Sequence, residues 1–134
     1  MQLTIAADTS QLERLGNFIK DACAGFARPL LIELAVAEIV TNTINYGKAH
    51  SCTIHVEKKR HHHYEDFEIT IEDDGIAFNP LKQASQPLGE LREGGYGLAI
   101  VKQAAKSLRY ERLGSINRLY LTFGEKHHDT EVSL

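Results

Sequence analysis

Three glycines within four positions, Gly94, Gly95 and Gly97, precede a run of apolar residues at helical spacing. Glycine loses more backbone freedom on ordering than any other residue, so such a cluster indicates a sharp bend or a close approach to a ligand. The first amides of a helix have no partner within the helix and lie at the positive end of its dipole. The stretch therefore predicts a seat for an anion such as phosphate, and a flexible loop before a helix is the alternative.

Composition narrows the class of protein. The chain has 134 residues, which suits one domain with a core of its own. Its formal net charge of −3 argues against a broad electrostatic attraction to nucleic acid or to a membrane surface. Cys23 and Cys52 are too few for a disulfide scaffold and are wrongly spaced for a zinc site. No apolar run approaches membrane-spanning length, and the N-terminus lacks a secretory signal pattern, so we expect a cytoplasmic location.

Two helices are predicted in the first part of the chain, over residues 12–25 and 29–47. The second is apolar on nearly all sides, which indicates burial on more than one side. Glu38 and Asn42 interrupt that apolar background and lie four residues apart, so they project from the same face. Because a buried carboxylate and a buried amide need partners, their oxygens could hold a hard cation. The alternative is that Glu38 faces solvent or a basic side chain.

Alternating apolar and polar residues predict five short strands, at 1–7, 51–56, 67–71, 107–112 and 117–123. A charged, histidine-rich turn over residues 57–66 joins the second strand to the third. We interpret its three consecutive histidines, His61–His63, as a solvated hairpin tip, because adjacent residues do not share a face. The helix after the glycines is expected to run to about Leu108, and residues 125–134 read as a polar tail.

Acidic residues end the third strand. Asp73 and Asp74 are followed by Gly75, a pattern that fits an ordinary turn. It also fits a pocket floor, in which a carboxylate accepts hydrogen bonds and the glycine makes room for a flat ligand. Residues 79–93 are polar and irregular, as expected for a loop that serves as a lid.

These segments together resemble one family. Residues 38–42 resemble the N box, residues 73–75 the first glycine box and residues 94–98 the second, in this order and at these separations. The chain is thus similar to the ATP-binding domain shared by DNA gyrase, heat-shock protein 90, histidine kinases and MutL, the GHKL superfamily. Within that superfamily it is most similar to the bacterial anti-sigma-factor serine/threonine kinases.

The resemblance implies an α+β fold of the Bergerat type, a two-layer sandwich formed by residues 1–124, with the polar tail at 125–134. Its sheet would be mixed but mostly antiparallel, with about five strands covered on one face by three helices. The cofactors implied are ATP and Mg²⁺. In the family, the partners are a sigma factor and an antagonist (anti-anti-sigma) protein, and members often form homodimers; no direct contact with nucleic acid or a membrane is implied.

The resemblance also implies roles for single residues. Glu38 would be the general base, or would orient the attacking hydroxyl, and Asn42 would bind Mg²⁺ at the phosphates. Asp73 would accept a hydrogen bond from the adenine amino group, with Gly75 giving space beside the ring. Further nucleotide contacts are expected at Ala77, Phe78, Arg92, Gly94, Gly95, Tyr96, Gly97 and Leu98, beneath the lid.

Three departures from the family pattern bear on these roles. Tyr46 stands where many relatives have a histidine, and the first box lacks a second glycine. Some members have an arginine just before the second box, where this chain has Glu93, so the neighbouring Arg92 is the candidate cation for phosphate transfer. The implied activity is phosphorylation of a serine or threonine on the antagonist by ATP. The alternatives are an ATP-gated binding module without kinase activity and the isolated catalytic domain of a histidine kinase.

Overall fold

The computed structural model describes residues 1–82 and 96–124. Five strands and three α-helices lie in this part of the chain. The strands are β1 (Gln2–Ala6), β2 (Ser51–Arg60), β3 (Glu65–Asp73), β4 (Ser107–Leu113) and β5 (Ile116–Gly124). The helices are α1 (Leu12–Ala22), α2 (Pro29–Tyr46) and α3 (Tyr96–Ala104). Among these helices, none is both long and apolar enough to cross a membrane.

The strands form one sheet in the order β1-β2-β3-β5-β4, and every pair of neighbours is antiparallel. Side chains alternate between the two faces of a strand, so one face of β3 carries the buried Phe67, Ile69 and Ile71. Asp73 continues that buried row at the end of the strand. Its register neighbours are Cys52 on β2 and Asn117 on β5.

The helices cover this apolar face of the sheet. Leu15 and Ile19 of α1 and Ile32 and Ile39 of α2 are fully buried in one core with the strand residues, and Val101 of α3 joins them. Proline at the first position of α2 suits the start of a helix, because its missing N–H would have no partner there. The predicted α+β fold, with about five strands under three helices, is confirmed, and all pairings among the described strands are antiparallel.

The largest differences from the predicted boundaries are at the β2–β3 turn and at the end of α3. The hairpin strands extend to Arg60 and from Glu65, so the turn is much shorter than residues 57–66. Helix α3 ends at Ala104 rather than near Leu108, because the amide of Lys106 already donates to the Thr122 carbonyl of β5, at 2.7 Å. The predicted tail at 125–134 lies outside the described residues.

Candidate functional site

The first part of the site lies on α2. The side-chain amide nitrogen of Asn42 donates to Glu38 Oε2, at 3.4 Å, so the two side chains share a face as their spacing predicts. Asn42 is buried, whereas Glu38 is only partly covered. Among the described residues, Asn42 Oδ1 has no hydrogen-bond donor. An amide oxygen beside a carboxylate, on a mostly buried helix face, fits a hard cation.

The second part is the carboxylate of Asp73, which is 7% exposed. Its Oδ1 accepts hydrogen bonds from the Gly75 amide at 2.8 Å and from the Asn117 side-chain nitrogen at 2.9 Å. Burial raises the pKa of Asp73, and these two hydrogen bonds oppose the increase. Within the described part of the chain, Oδ2 has no donor, so an acceptor atom is left for a ligand's N–H. This suits the exocyclic amino group of adenine.

The neighbouring Asp74 has a different role. Its Oδ1 accepts hydrogen bonds from the backbone amides of His50 and Ser51, at 2.7 and 3.1 Å. These hydrogen bonds hold the pKa of Asp74 below its ordinary value although the side chain is exposed. Asp74 therefore anchors the acidic loop to the start of β2, and Asp73 is the carboxylate that lies on the helix side of the sheet.

The end of α2 and the acidic loop are in direct contact. The Gly47 carbonyl, just past the last residue of α2, accepts a hydrogen bond from the Ile76 amide at 2.9 Å. The rings of Tyr46 and Phe78 also meet, with their centroids 6.3 Å apart. A Cβ added to Gly75 would come within 2.2 Å of the Gly47 oxygen. Glycine is thus needed at position 75 by the protein's own backbone.

Asn117 is a site residue that sequence reasoning missed. It is 2% exposed, and its side-chain nitrogen donates to Asp73 Oδ1 and, at 2.7 Å, to the Ile76 carbonyl. Its Oδ1 accepts hydrogen bonds from the Tyr110 hydroxyl, from Arg112 Nη1 at 3.1 Å and from the Phe78 amide at 3.3 Å. The available signal was an asparagine in the buried row of β5, where the other positions are apolar.

The third part of the predicted site is the glycine-rich stretch. Helix α3 begins at Tyr96 and packs on α2, and Leu98 in its first turn is buried. Gly97 belongs to the same first turn. The predicted contacts at Arg92, Gly94 and Gly95 lie outside the described residues, as does the lid beyond residue 82.

Helix α2 therefore contacts both other segments, namely the acidic loop at its C-terminal end and α3 along its side. Ala77 is exposed and Phe78 is partly buried, in the loop that leaves the acidic strand end. Three groups in this region fit a nucleotide with its metal. The Asp73 carboxylate offers a buried acceptor for an amino group, Asn42 offers an amide oxygen for Mg²⁺, and the start of α3 offers backbone amides for phosphates. The individual contacts of these residues with a nucleotide remain predictions.

Comparison with known proteins identifies the family, because residues 5–123 match the Histidine kinase-like ATPase domain. This chain belongs to that family. It is 30% identical over 116 residues to the anti-sigma F factor of Clostridium novyi, with 82% of this chain and 73% of that protein covered. It is 28% identical over 101 residues to the serine/threonine-protein kinase BtrW of Bordetella bronchiseptica, with 72% and 68% covered. Membership of this ATPase family implies that the chain binds ATP.

Two solved structures that are similar to this protein have longer chains. One is the histidine kinase domain of the blue-light activated histidine kinase of Erythrobacter litoralis, with 19% identity and a TM-score of 0.47. Another is the histidine kinase AdeS of Acinetobacter baumannii, with 15% identity and a TM-score of 0.44. The alignments cover 96% and 92% of this chain but only 65% and 66% of those two chains.

Proposed function

We propose that this protein is an ATP-dependent serine/threonine kinase that phosphorylates a small antagonist protein and also binds a sigma factor, in a partner-switching system. Its relatives support the two halves of the proposal, since one is named an anti-sigma factor and the other a serine/threonine kinase. In this proposal the protein acts in the cytoplasm. The observation that carries the kinase half is the pairing of Glu38 with Asn42 on α2.

The pairing suits phosphoryl transfer because this chemistry depends mainly on positioning and on neutralising charge. The amide nitrogen of Asn42 donates to Glu38, which leaves its oxygen available to hold Mg²⁺. When bound, Mg²⁺ neutralises negative charge on the phosphates. Asn42 adds no charge of its own, so it would hold the metal without adding repulsion to the triphosphate.

Glu38 is the base in this proposal. Its carboxylate accepts the proton of the substrate hydroxyl as the hydroxyl oxygen forms a bond to the terminal phosphorus of ATP. The bond from that phosphorus to the bridging oxygen breaks, and ADP leaves with the electron pair. A partly covered carboxylate suits this step, since it is reachable from solvent by a protein substrate.

The test is phosphate transfer from labelled ATP with Mg²⁺ to candidate antagonist proteins encoded beside this protein. Loss of a positioned base typically costs about 10²–10⁴-fold in rate, so Glu38→Ala should lose transfer to that extent while still binding ATP. Glu33→Ala is the matched control, because Glu33 lies on the same helix and faces Gly16 on α1. The control should transfer phosphate at the wild-type rate.

Each alternative has its own result. Equal transfer by the wild type and Glu38→Ala would remove Glu38 from the base role. A wild-type protein that binds ATP and a sigma factor but transfers no phosphate would be a nucleotide-gated binding module. Label that is lost in acid, as expected for phosphohistidine, would indicate a histidine kinase domain, whereas phosphoserine survives acid.

A further inference from the structure

We propose that Asn117, oriented by Arg112 and Tyr110, determines which purine base this site accepts by holding Asp73 as a hydrogen-bond acceptor. The inference rests on the proposed nucleotide site, in which the purine lies at Asp73. It assigns a selectivity role to three side chains of the β4–β5 hairpin, none of which belongs to the sequence boxes described above.

The first step concerns the direction of the Asn117 amide. An asparagine side chain can donate through its nitrogen or accept through its oxygen, and a flip exchanges the two. A guanidinium has only donors. Arg112 Nη1 lies 3.1 Å from Asn117 Oδ1, and the Tyr110 hydroxyl donates to the same oxygen. A flipped amide would place its NH₂ group against the donors of Arg112, so the nitrogen must face Asp73.

Arg112 is itself held in place. Its Nη1 also donates to the Gly75 carbonyl at 2.9 Å, and its Nε donates to the Gly114 carbonyl, also at 2.9 Å. One guanidinium thus contacts both the acidic loop and the β4–β5 turn. Because these contacts hold the Arg112 guanidinium in place, the hydrogen bonds run in one direction: Arg112 donates to Asn117, and Asn117 donates to Asp73.

The second step concerns Asp73. The side-chain nitrogen of Asn117 and the backbone amide of Gly75 both donate hydrogen bonds to its Oδ1. These hydrogen bonds stabilise the ionised carboxylate and oppose the rise in the pKa of Asp73 that burial causes. Its Oδ2 then offers only lone pairs. The 6-amino group of adenine can donate to Oδ2, whereas the 6-carbonyl group of hypoxanthine or guanine would face it as a second acceptor.

A buried acceptor without a donor loses affinity by roughly 10–100-fold. We therefore expect the wild type to bind ATP more tightly than inosine triphosphate (ITP) by that factor. The two nucleotides share the ribose and the triphosphate and differ only at the six-position and the adjoining ring nitrogen. The ratio of their dissociation constants reports the contact at Asp73 and is unaffected by the fraction of folded protein.

The decisive variant is Asn117→Asp. It replaces the donor beside Asp73 with a second carboxylate, and two adjacent carboxylates tend to share one proton. A protonated acid can donate to a carbonyl, so the preference for ATP should narrow by about tenfold, and more at pH 6 than at pH 8. Asn17→Asp makes the same change at an exposed position of α1, on a different element from Asp73 and Asn117, and should keep the wild-type ratio.

Arg112→Met is the second variant, since it removes the donor-only group that sets the direction of the Asn117 amide and leaves Asn117 and Asp73 in place. It should narrow the ratio in the same direction by a smaller factor, and it decides the question if Asn117→Asp does not fold. Equal losses of affinity for both nucleotides, or an unchanged ratio in both variants, would overturn the selectivity role and leave the nucleotide site standing. A wild type that binds neither nucleotide would instead overturn the proposed function.

Discussion

Replacing Gly75 with alanine distinguishes between two explanations of why this position holds a glycine. The first box of the family implies space beside the nucleotide ring, whereas the structure places the Gly47 carbonyl oxygen 2.2 Å from the position of a Cβ. If only the ligand needs that space, Gly75→Ala lowers nucleotide affinity and leaves the free protein as stable as before. If the backbone contact is what requires glycine, the free protein itself is destabilised.

The expected loss follows from the contacts. Carbon and oxygen cannot approach to 2.2 Å, and the neighbour is a backbone carbonyl that cannot rotate away. Overpacking of this kind costs about 1–3 kcal/mol, and disturbing the Ile76 to Gly47 hydrogen bond adds about 1 kcal/mol, so we expect a loss of roughly 2–4 kcal/mol. With an unfolding entropy of about 2.1 cal/mol/K per residue, the melting temperature should fall by about 7–14 °C.

The assay is thermal and denaturant unfolding of the protein without nucleotide. Gly16→Ala is the matched control, because its Cβ would meet only the Glu33 side chain, at an ordinary 3.4 Å. Gly16 lies within α1, where alanine is favoured over glycine by about 0.5–1 kcal/mol, so the control should be slightly stabilised. Equal stability of Gly75→Ala and the wild type would refute the backbone explanation.

Three further predictions concern stability and reactivity. Lys106→Met removes the cation that donates hydrogen bonds, at 3.0 and 3.1 Å, to both carboxylate oxygens of the buried Asp66. Denaturant unfolding should show that the free energy of unfolding falls by about 1–3 kcal/mol. The control Arg60→Met breaks an exposed ion pair with Glu65 and should lower it by no more than about 1 kcal/mol. The lowered pKa of Asp74 means that its carboxylate stabilises the fold at neutral pH and loses this effect as the pH falls, so Asp74→Asn should flatten the decline in stability below about pH 4 in an acid titration. Burial raises the pKa of the Cys52 thiol to about 12, so alkylation at pH 8, followed by mass spectrometry, should be slow until the protein unfolds.

The strands and helices could be predicted from the sequence wherever a pattern is local and repeats. The burial of α2 follows from apolar residues on nearly all of its sides. The ends of the elements were harder to predict. The charged residues 57–60 read as a turn, yet they continue β2 because their neighbours on β3 supply the ladder, such as Lys59 opposite Asp66. Likewise, α3 stops before Leu108 because the sheet takes over the backbone hydrogen bonds there.

The two halves of the candidate site also differ in whether they depend on local or on long-range structure. Glu38 and Asn42 lie one helical turn apart, so their meeting follows from the helix repeat alone. Asp73 and Asn117 lie 44 residues apart, and their hydrogen bond depends on the register between β3 and β5. A shift of one residue would turn Asn117 to the other face of the sheet. Sequence patterns can therefore locate Asp73 as a candidate site residue, but only the sheet register reveals that Asn117 donates a hydrogen bond to it.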